Sequence, residues 1–151
     1  MITSDLWRGK RFAVLGLARS GAATVRALVA SGAEVVAWDA DDARREDVVD
    51  SIIELSHSLE SANLHLADPE AIDLAGFDGL VVSPGVPINR HPIAAKARAA
   101  GVPIIGDIEL FAQARAALPP HKVVGITGTN GKSTTTALIH HILQTAGVPT
   151  L

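Results

Sequence analysis

The chain has 151 residues, 48% hydrophobic and 19% charged, which supplies a core of domain size and excludes disorder for most of the sequence. Its formal net charge of −3 provides no overall basic field and disfavours a nucleic-acid partner. The absence of cysteine excludes disulfides and thiolate metal sites, and it fits a reducing compartment.

No targeting or membrane-spanning segment is recognisable in the sequence. The first residues, MITSDLWRGKRF, contain no apolar signal-peptide core, and no apolar run approaches the roughly 18 residues that span a bilayer. We therefore expect a cytoplasmic protein with no membrane partner.

The first 41 residues predict one β-α-β unit. An apolar run at 11–18 predicts a strand, and the helical periodicity over 20–32 stops at Gly32, a residue typical of a helix C-terminus. A second apolar run, 33–41, ends in acidic residues. This order and length are typical of a Rossmann-like fold.

The middle of the chain has a weaker pattern. Residues 41–76 predict one or two helices and a weak strand near NLHLA. Clear patterns return after residue 77 and predict, in order, a strand, a helix, a strand and a helix, at 77–87, 91–101, 102–106 and 107–118.

Two prolines in PPH, 119–121, mark a boundary between units, after which the pattern restarts. A strand is predicted at 122–128 and a helix at 132–147. The predicted fold is α/β: a Rossmann-like, doubly wound, mainly parallel sheet over 1–118. The first strand, phosphate loop and helix of an incomplete second domain follow over 119–151.

The stretch GITGTNGKST, 125–134, lies between that predicted strand and helix, which is the context of a phosphate-binding loop. Its glycines let backbone N–H groups converge on phosphate oxygens, and the helix start adds its positive dipole end. Lys132 is placed to neutralise the β- and γ-phosphates, and the Ser133 hydroxyl to hold Mg²⁺. The usual pattern has glycine five residues before Gly131, where this chain has Ile126. The match is therefore to a variant, and a plain strand-to-helix turn is the alternative.

A second glycine-containing loop, GLARSG at 16–21, matches the dinucleotide fingerprint except that Ala18 replaces its second glycine. Ala18 still permits a diphosphate at the helix start, but it disfavours NAD or FAD. Asp39, at the end of the second predicted strand, is placed to accept hydrogen bonds from the outer part of a ligand. A tight turn without a ligand is the alternative.

Two further motifs follow the central strands. SPG, 83–85, ends a predicted strand at the edge where open α/β sheets bind ligands, and a plain turn is its alternative. GDIELF, 106–111, places Asp107 and Glu109 in the first turn of a helix. Carboxylates are favoured there by the helix dipole, which explains both residues without a catalytic role.

GLARSG, SPG, GDIELF and GITGTNGKST, in this order and spacing, resemble the amino-terminal third of a Mur ligase over essentially the whole chain. TGTNGKS resembles the wider superfamily, which includes folate-polyglutamate ligases. GDIELF together with GLARSG resembles more specifically the Mur ligases that add D-glutamate.

The resemblance implies an ATP- and Mg²⁺-dependent cytoplasmic ligase of peptidoglycan biosynthesis, monomeric at full length. It implies that D-glutamate is added to UDP-N-acetylmuramoyl-L-alanine through an acyl phosphate. Residues 1–118 would bind the UDP part of the substrate, and residues 119–151 would begin the ATP-binding domain. In the family, the parts that bind adenine, D-glutamate and a second metal lie beyond residue 151. We therefore expect an amino-terminal portion that is inactive by itself.

The resemblance also implies roles for individual residues. Contacts to the UDP substrate fall on Gly16, Leu17, Ala18, Arg19, Ser20, Gly21, Asp39, Ala40, Ser83, Pro84 and Gly85. Contacts to ATP fall on Gly128, Thr129, Asn130, Gly131, Lys132, Ser133 and Thr134, with Lys132 catalytic and Ser133 the Mg²⁺ ligand. Ala40 stands where the resemblance leads us to expect a hydroxyl, so this position departs from the side-chain hydrogen bond to uracil that the resemblance implies.

Two other functions remain open. One is an NAD-binding module of an oxidoreductase that uses GLARSG and Asp39, and the other is a non-catalytic nucleotide-binding module complete at 151 residues. A preference for NAD(H) over UDP-sugars would identify the first. The length of the native product would identify the second.

Overall fold

The computed structural model describes residues 1–56 and 63–150. Contacts between residues divide the chain into two compact units, Met1–Leu118 and Pro119–Leu151. The part of the 41–76 prediction that concerns residues 57–62 lies outside the described residues.

The first unit is built on a five-stranded sheet in which all pairings are parallel and the strand order is β3-β2-β1-β4-β5. The strands are β1 (Arg11–Leu15), β2 (Glu34–Trp38), β3 (Leu64–Leu66), β4 (Gly79–Val82) and β5 (Ile104–Ile105). The chain runs outward from β1 to β3, then crosses to β4 on the other side of β1. This reversal creates a switch point between β1 and β4 and confirms the predicted Rossmann-like α/β fold.

Both faces of the sheet are covered, which explains why its strands are nearly continuous apolar runs. The helices are α1 (Arg19–Ala30), α2 (Asp42–Ser56), α3 (Ile93–Ala99) and α4 (Asp107–Ala114). Phe12 and Val14 of β1 belong to a core that includes residues of α1, α2 and α4. Ala13 and Leu15 point to the other face, where the core includes residues of α3 and of the crossover between β3 and β4.

Glycine ends α1 and α3 in the same way. Gly32 has a φ of +79° and donates to the carbonyl of Val29 at 2.9 Å, while the next N–H, of Ala33, reaches back to Leu28 at 3.1 Å. Gly101, with a φ of +69°, closes α3 by the same pair of bonds. This is the Schellman arrangement, and it confirms the predicted helix end at Gly32.

Several predicted elements of the first unit differ from the structure in extent. The strand predicted at 77–87 is formed only over Gly79–Val82. The region 41–76 contains the helix α2 and the short strand β3, while the described crossover that follows β3 forms turns and places Leu74 and Phe77 in the core. The helix predicted at 107–118 is α-helical as far as Ala114 and then tightens to a 3₁₀ turn, Arg115–Ala117.

The second unit contains the helix α5, Lys132–Thr145, followed by Gly147 at a φ of +73°. The strand predicted at 122–128 is wrong, because no strand is formed at these residues. A strand requires a neighbour to pair its N–H and C=O groups, and the described residues 119–150 contain no other strand. No residue of α5 is buried.

None of the described helices combines the length and the apolar character that a membrane crossing demands.

Candidate functional site

A cavity of about 680 Å³ opens in the first unit at the carboxyl edge of the sheet, beside the switch point between β1 and β4. The fold brings most of the sequence-predicted UDP-substrate residues to its wall, and only Leu17 and Gly21 of that set do not line it. The lining residues from the set are Gly16, Ala18, Arg19, Ser20, Asp39, Ala40, Ser83, Pro84 and Gly85.

The two outer glycines of GLARSG are required by packing within the chain. Gly16 has a φ of +88°, and a β-carbon there would lie 3.0 Å from Cβ of Ser83 and from Cγ2 of Val86. A β-carbon on Gly21 would lie only 1.8 Å from the carbonyl oxygen of Gly16. The first turn of α1 therefore packs directly on the loop, which is the close helix approach that the last glycine of a dinucleotide fingerprint permits.

Ser83 joins the SPG turn to the GLARSG loop across the switch point. Its buried hydroxyl donates to the carbonyl oxygen of Gly16 at 2.6 Å, and its N–H donates to the carbonyl of Leu15 at 3.0 Å. The carbonyl of Ser83 accepts from the N–H of Val86 at 3.0 Å, which closes the turn. The hydroxyl is thus directed into the protein framework although the residue lines the cavity.

Asp39 is buried, with 7% of its surface exposed, and it holds two loops together. Its Oδ2 accepts from the N–H of Leu17 at 2.7 Å and from Nη1 of Arg44 at 3.3 Å, and its Oδ1 accepts from the N–H of Asp41 at 3.0 Å. Burial by itself would raise the pKa of this carboxyl. The N–H groups of Asp41 and Leu17 and the guanidinium of Arg44 outweigh burial and lower the pKa below its ordinary value of 3.8.

The start of α1 offers backbone donors to the cavity. Ala18 is the N-cap, with φ −63° and ψ −173°, an extended conformation that any residue adopts, and no side chain caps the helix there. The first N–H groups of a helix have no partner within the helix, so they favour an anion. Ala18, Arg19 and Ser20 line this part of the cavity.

Several lining residues were not predicted from the sequence. They are Leu15, Trp38, Arg44, Asp68, Glu70, Val86, Pro87 and His91. Arg44, Asp68 and Glu70 come from the region with the weakest pattern, and they reach the site only through the path of the folded chain. The sequence offered one indication for Arg44, which is that it lies six residues after the end of β2.

Two pairs of side chains shape the wall. His91 lies 3.1 Å from Oε1 of Glu70, which links the crossover to the chain just before α3. The guanidinium carbon of Arg45 lies 4.2 Å from the ring centroid of Trp38, a cation–π distance. Arg45 also donates to the carbonyl of Asp39 and to the carboxylate of Asp42.

The loop of the second unit has the conformation that its glycines allow. Gly128 has a φ of +149°, and Gly131, at +77°, is the N-cap of α5 without a side-chain capping bond. Nζ of Lys132 donates to the carbonyl of Gly128 at 2.6 Å and to that of Thr129 at 3.4 Å. Flexible glycines, an uncapped helix start and an adjacent ammonium fit a bound phosphate group.

The remaining predicted residues of this loop, Thr129, Asn130, Ser133 and Thr134, are exposed. Within the described ranges 1–56 and 63–150, no cluster of three His, Asp or Glu side chains has the geometry to hold a metal ion. Ser133 as an Mg²⁺ ligand therefore stays a prediction.

Comparison with known proteins gives a consistent family. The ligase UDP-N-acetylmuramoylalanine--D-glutamate ligase of Sphingopyxis alaskensis is 64% identical over 151 residues, which is 100% of this chain and 32% of the relative. The relative of the same name from Novosphingobium aromaticivorans is 62% identical over 149 residues, 99% of this chain and 31% of its own length. The chain thus spans about a third of the length of these relatives.

Among solved structures, dehydroquinate dehydratase and shikimate dehydrogenase from S. pombe AroM has 15% identity and a TM-score of 0.48, over 74% of this chain and 27% of that chain. The family model described as "Mur ligase MurD-like, N-terminal domain" matches residues 10–106, which include β1 to β5 and every residue that lines the cavity. The chain belongs to the MurD-like Mur ligase family, whose N-terminal domain it contains.

Proposed function

We propose that this chain is the amino-terminal portion of a peptidoglycan-precursor ligase that adds D-glutamate to UDP-N-acetylmuramoyl-L-alanine. The cavity of the first unit binds the UDP part of that substrate. The observation that carries the proposal is the pair of loops, GLARSG and SPG, bonded to each other through Ser83 and Gly16 around a cavity of about 680 Å³. This volume lies in the usual range for small-molecule sites. The names of the relatives support the ligase class.

The wall of the cavity divides into two parts with different chemistry. Ala18, Arg19 and Ser20 surround the start of α1, where unpaired N–H groups and a cation suit the diphosphate. Ala40, exposed at the end of β2, and Arg44 lie on the side of β2 and suit the uridine. Leu17 and Gly21 contribute by fixing the loop rather than by contacting the ligand.

Gly85 is a further part of the ligand site. A β-carbon at this position meets no heavy atom within 4 Å, and its φ is outside the left-handed region that favours glycine. The chain itself therefore does not require glycine here. Gly85 lines the cavity and follows Pro84 at the end of β4. We therefore infer that glycine is present here because the uridine approaches the backbone closely.

The loop of the second unit, Gly128 to Thr134, is proposed to bind ATP. Lys132 would exchange its hydrogen bonds to loop carbonyls for bonds to phosphate oxygens, and the exposed Ser133 hydroxyl would hold Mg²⁺. Bound ATP and Mg²⁺ supply the phosphoryl group and the positive charge with which the substrate carboxylate becomes an acyl phosphate. The amine of D-glutamate then displaces phosphate. The first unit contributes by holding the UDP end of the substrate while this chemistry takes place.

The role of Lys132 is tested in the full-length enzyme, where the ligation reaction exists. Lys132→Ala removes the cation that stabilises the transferring phosphoryl group, so kcat falls by several orders of magnitude. Unimpaired ligation in this variant would overturn the assignment.

The same proposal places the full-length enzyme in the cytoplasm as a monomer. Cell fractionation would check the location, and sedimentation would check the oligomeric state.

The proposal for the first unit is tested by calorimetric titration of the 151-residue chain with UDP and with NAD(H). UDP is expected to bind with the tighter affinity. An NAD module would show the reverse preference, and the position of Asp39 argues against it, because this carboxylate already accepts bonds from Leu17, Asp41 and Arg44. Three of the roughly four acceptor sites of this carboxylate are thus used within the protein, which leaves little capacity for the ribose hydroxyls that such an acid binds in an NAD site. Tighter binding of NAD(H) than of UDP would sink the proposed function.

A further inference from the structure

The cavity wall contains an arginine, Arg44, whose guanidinium is held in place by the protein with only part of its hydrogen-bond donors engaged. Arg44 lies in the first turn of α2, and its side chain is 49% exposed where it lines the cavity. It follows Asp39 and Ala40, which also line the cavity at the end of β2. Ala40 offers only a methyl group to a ligand, so Arg44 is the main source of side-chain donors on this part of the wall.

Two carboxylates fix the guanidinium of Arg44. Nη1 lies 3.3 Å from Oδ2 of the buried Asp39, and Nε lies 3.5 Å from Oδ2 of Asp41. Asp39 is itself fixed by the N–H groups of Leu17 and Asp41. The guanidinium is therefore oriented before any ligand arrives, which reduces the entropy lost when it binds.

The neighbouring Arg45 shows what a fully engaged arginine looks like in the same helix turn. Its guanidinium stacks on Trp38 and donates both to the carbonyl of Asp39 and to Asp42, and only 18% of its side chain is exposed. Arg44, by contrast, makes one contact through Nη1 and one through Nε. A guanidinium has five N–H donors and no acceptor, so three donors of Arg44 remain for a ligand.

We propose that Arg44 determines the base specificity of the site by donating hydrogen bonds to O4 of uracil, the carbonyl oxygen that an amino group replaces in cytosine. This inference rests on the proposed function of the cavity. Uracil presents two carbonyl oxygens on its pairing edge, whereas cytosine has an amino group in place of one of them. A group that only donates pairs with the carbonyl and leaves the amino group facing another donor. Arg44 therefore selects a uridine nucleotide against a cytidine nucleotide.

The diphosphate is a less suitable partner for Arg44. The anion-binding features of the wall, the start of α1 with Arg19, lie on the loop after β1, whereas Arg44 follows β2. The charge of Arg44 is also offset by Asp39 and Asp41, so its remaining value to a ligand is directional hydrogen bonding more than net charge. Contact with the diphosphate is the outcome that the experiment must separate from contact with the base.

The test is a titration of the 151-residue chain with UDP and with CDP, for the unaltered chain and for Arg44→Gln and Arg44→Lys. Calorimetry gives the affinities, and fluorescence gives an independent signal, because Trp38 lines the cavity whereas Trp7, the other tryptophan, is buried in the core. Arg98→Gln is the matched control, since Arg98 is an exposed arginine on α3 that does not line the cavity.

The unaltered chain and Arg98→Gln are expected to bind UDP at least about tenfold more tightly than CDP, the value of one hydrogen bond to a charged group. Arg44→Gln weakens UDP by about tenfold and leaves CDP nearly unchanged, so the preference disappears. Arg44→Lys keeps the charge but not the planar fork, and it also loses the preference. Thermal unfolding of each variant verifies that the fold is retained.

Three results would overturn the assignment of Arg44. Equal losses for UDP and CDP in Arg44→Gln would show that the arginine contacts a part common to both nucleotides, such as the diphosphate, and not O4 of uracil. An unchanged UDP-to-CDP ratio in both Arg44 variants would show that the base is read elsewhere. If the unaltered chain bound neither nucleotide, the proposed function of the cavity itself would fail, and the assignment of Arg44 with it.

Discussion

The hydroxyl of Ser83 donates a 2.6 Å hydrogen bond to the carbonyl oxygen of Gly16, a residue 67 positions earlier in the chain. Both residues are buried at the point where the direction of winding reverses. The bond connects the loop after β1 with the turn after β4, so the two sides of the cavity keep one geometry. We therefore expect Ser83 to affect a ligand mainly through the position of the Gly16 loop.

Replacing Ser83 with alanine should destabilise the first unit. The carbonyl of Gly16 would lose its donor while remaining buried, which costs about 1–3 kcal/mol in the free energy of unfolding. Chemical denaturation measures this difference. Ser51→Ala is a suitable control, because the Ser51 hydroxyl donates only to a carbonyl of its own helix, Val48, at 2.8 Å. Equal stability of Ser83→Ala and Ser51→Ala would contradict the role of the bond.

The sequence predicted this architecture where the signal is local. Phe12 to Leu15 are apolar because both faces of the sheet are covered, and Gly32 marks a helix end because its backbone needs a positive φ. The strand at 122–128 was predicted from the same apolar pattern, but a strand also needs a partner, which a local pattern does not contain. Apolar periodicity alone cannot report which segments pair.

The sequence motifs predicted which loops form the candidate site, but they did not predict the hydrogen bonds between those loops. GLARSG and SPG identified the two loops, whereas the use of Asp39 depends on tertiary contacts to Leu17 and Arg44. From the sequence, Asp39 was expected to accept bonds from a ligand, and the structure shows its oxygens already accepting from the protein. Such contacts arise only when loops distant in sequence meet.

Two glycines of the site should respond differently to alanine. At Gly85 an added β-carbon meets nothing within 4 Å, so the free energy of unfolding should stay the same or rise by up to about 1 kcal/mol through the unfolded state. The methyl group would occupy space in the proposed uridine site, and UDP affinity should fall about tenfold. Calorimetric titration with UDP, combined with thermal unfolding, measures both quantities.

Gly21→Ala is the matched contrast for that substitution. Its β-carbon would lie 1.8 Å from the carbonyl oxygen of Gly16 and 2.6 Å from the hydroxyl of Ser83, so the loop must move and stability should fall by at least about 1–3 kcal/mol. If Gly85→Ala bound UDP as the unaltered chain does, the ligand would not approach Gly85 closely.

Because of Asp39, the free energy of unfolding of the first unit should vary with pH in the acid range. Its pKa in the folded state lies below the ordinary value of 3.8, so the carboxylate contributes stability that is fully present above that value. The contribution is lost as the pH falls through 3.8 towards the lower pKa of the folded state. Asp39→Asn lacks this ionisation, so it should be less stable than the unaltered chain near neutral pH and approach it in acid.

Denaturation midpoints measured from about pH 6 down to about pH 3 follow this convergence. Asp47→Asn is the control, because Asp47 is exposed on α2 and does not line the cavity. A stability difference between Asp39→Asn and the unaltered chain that stayed constant over this range would show that the carboxylate charge has no part in holding the loops.

The helix α5 should be the least protected helix of the chain in hydrogen exchange. It buries no residue, and Leu138 and Ile142 are 56% and 54% exposed, whereas α1 buries Val25 and Leu28. A 14-residue helix that buries none of its residues is only marginally stable in water, so a small free energy should suffice to open it and let its amides exchange. Exchange measured by mass spectrometry on the 151-residue chain should show residues 132–145 labelled at least about a hundredfold faster than residues 19–30.

A separate 1–118 chain should keep the protection of its own strands, because both cores are formed by residues before 118. Protection of 132–145 equal to that of α1, in a chain verified as monomeric, would mean that the second unit has a stable packing partner within these 151 residues.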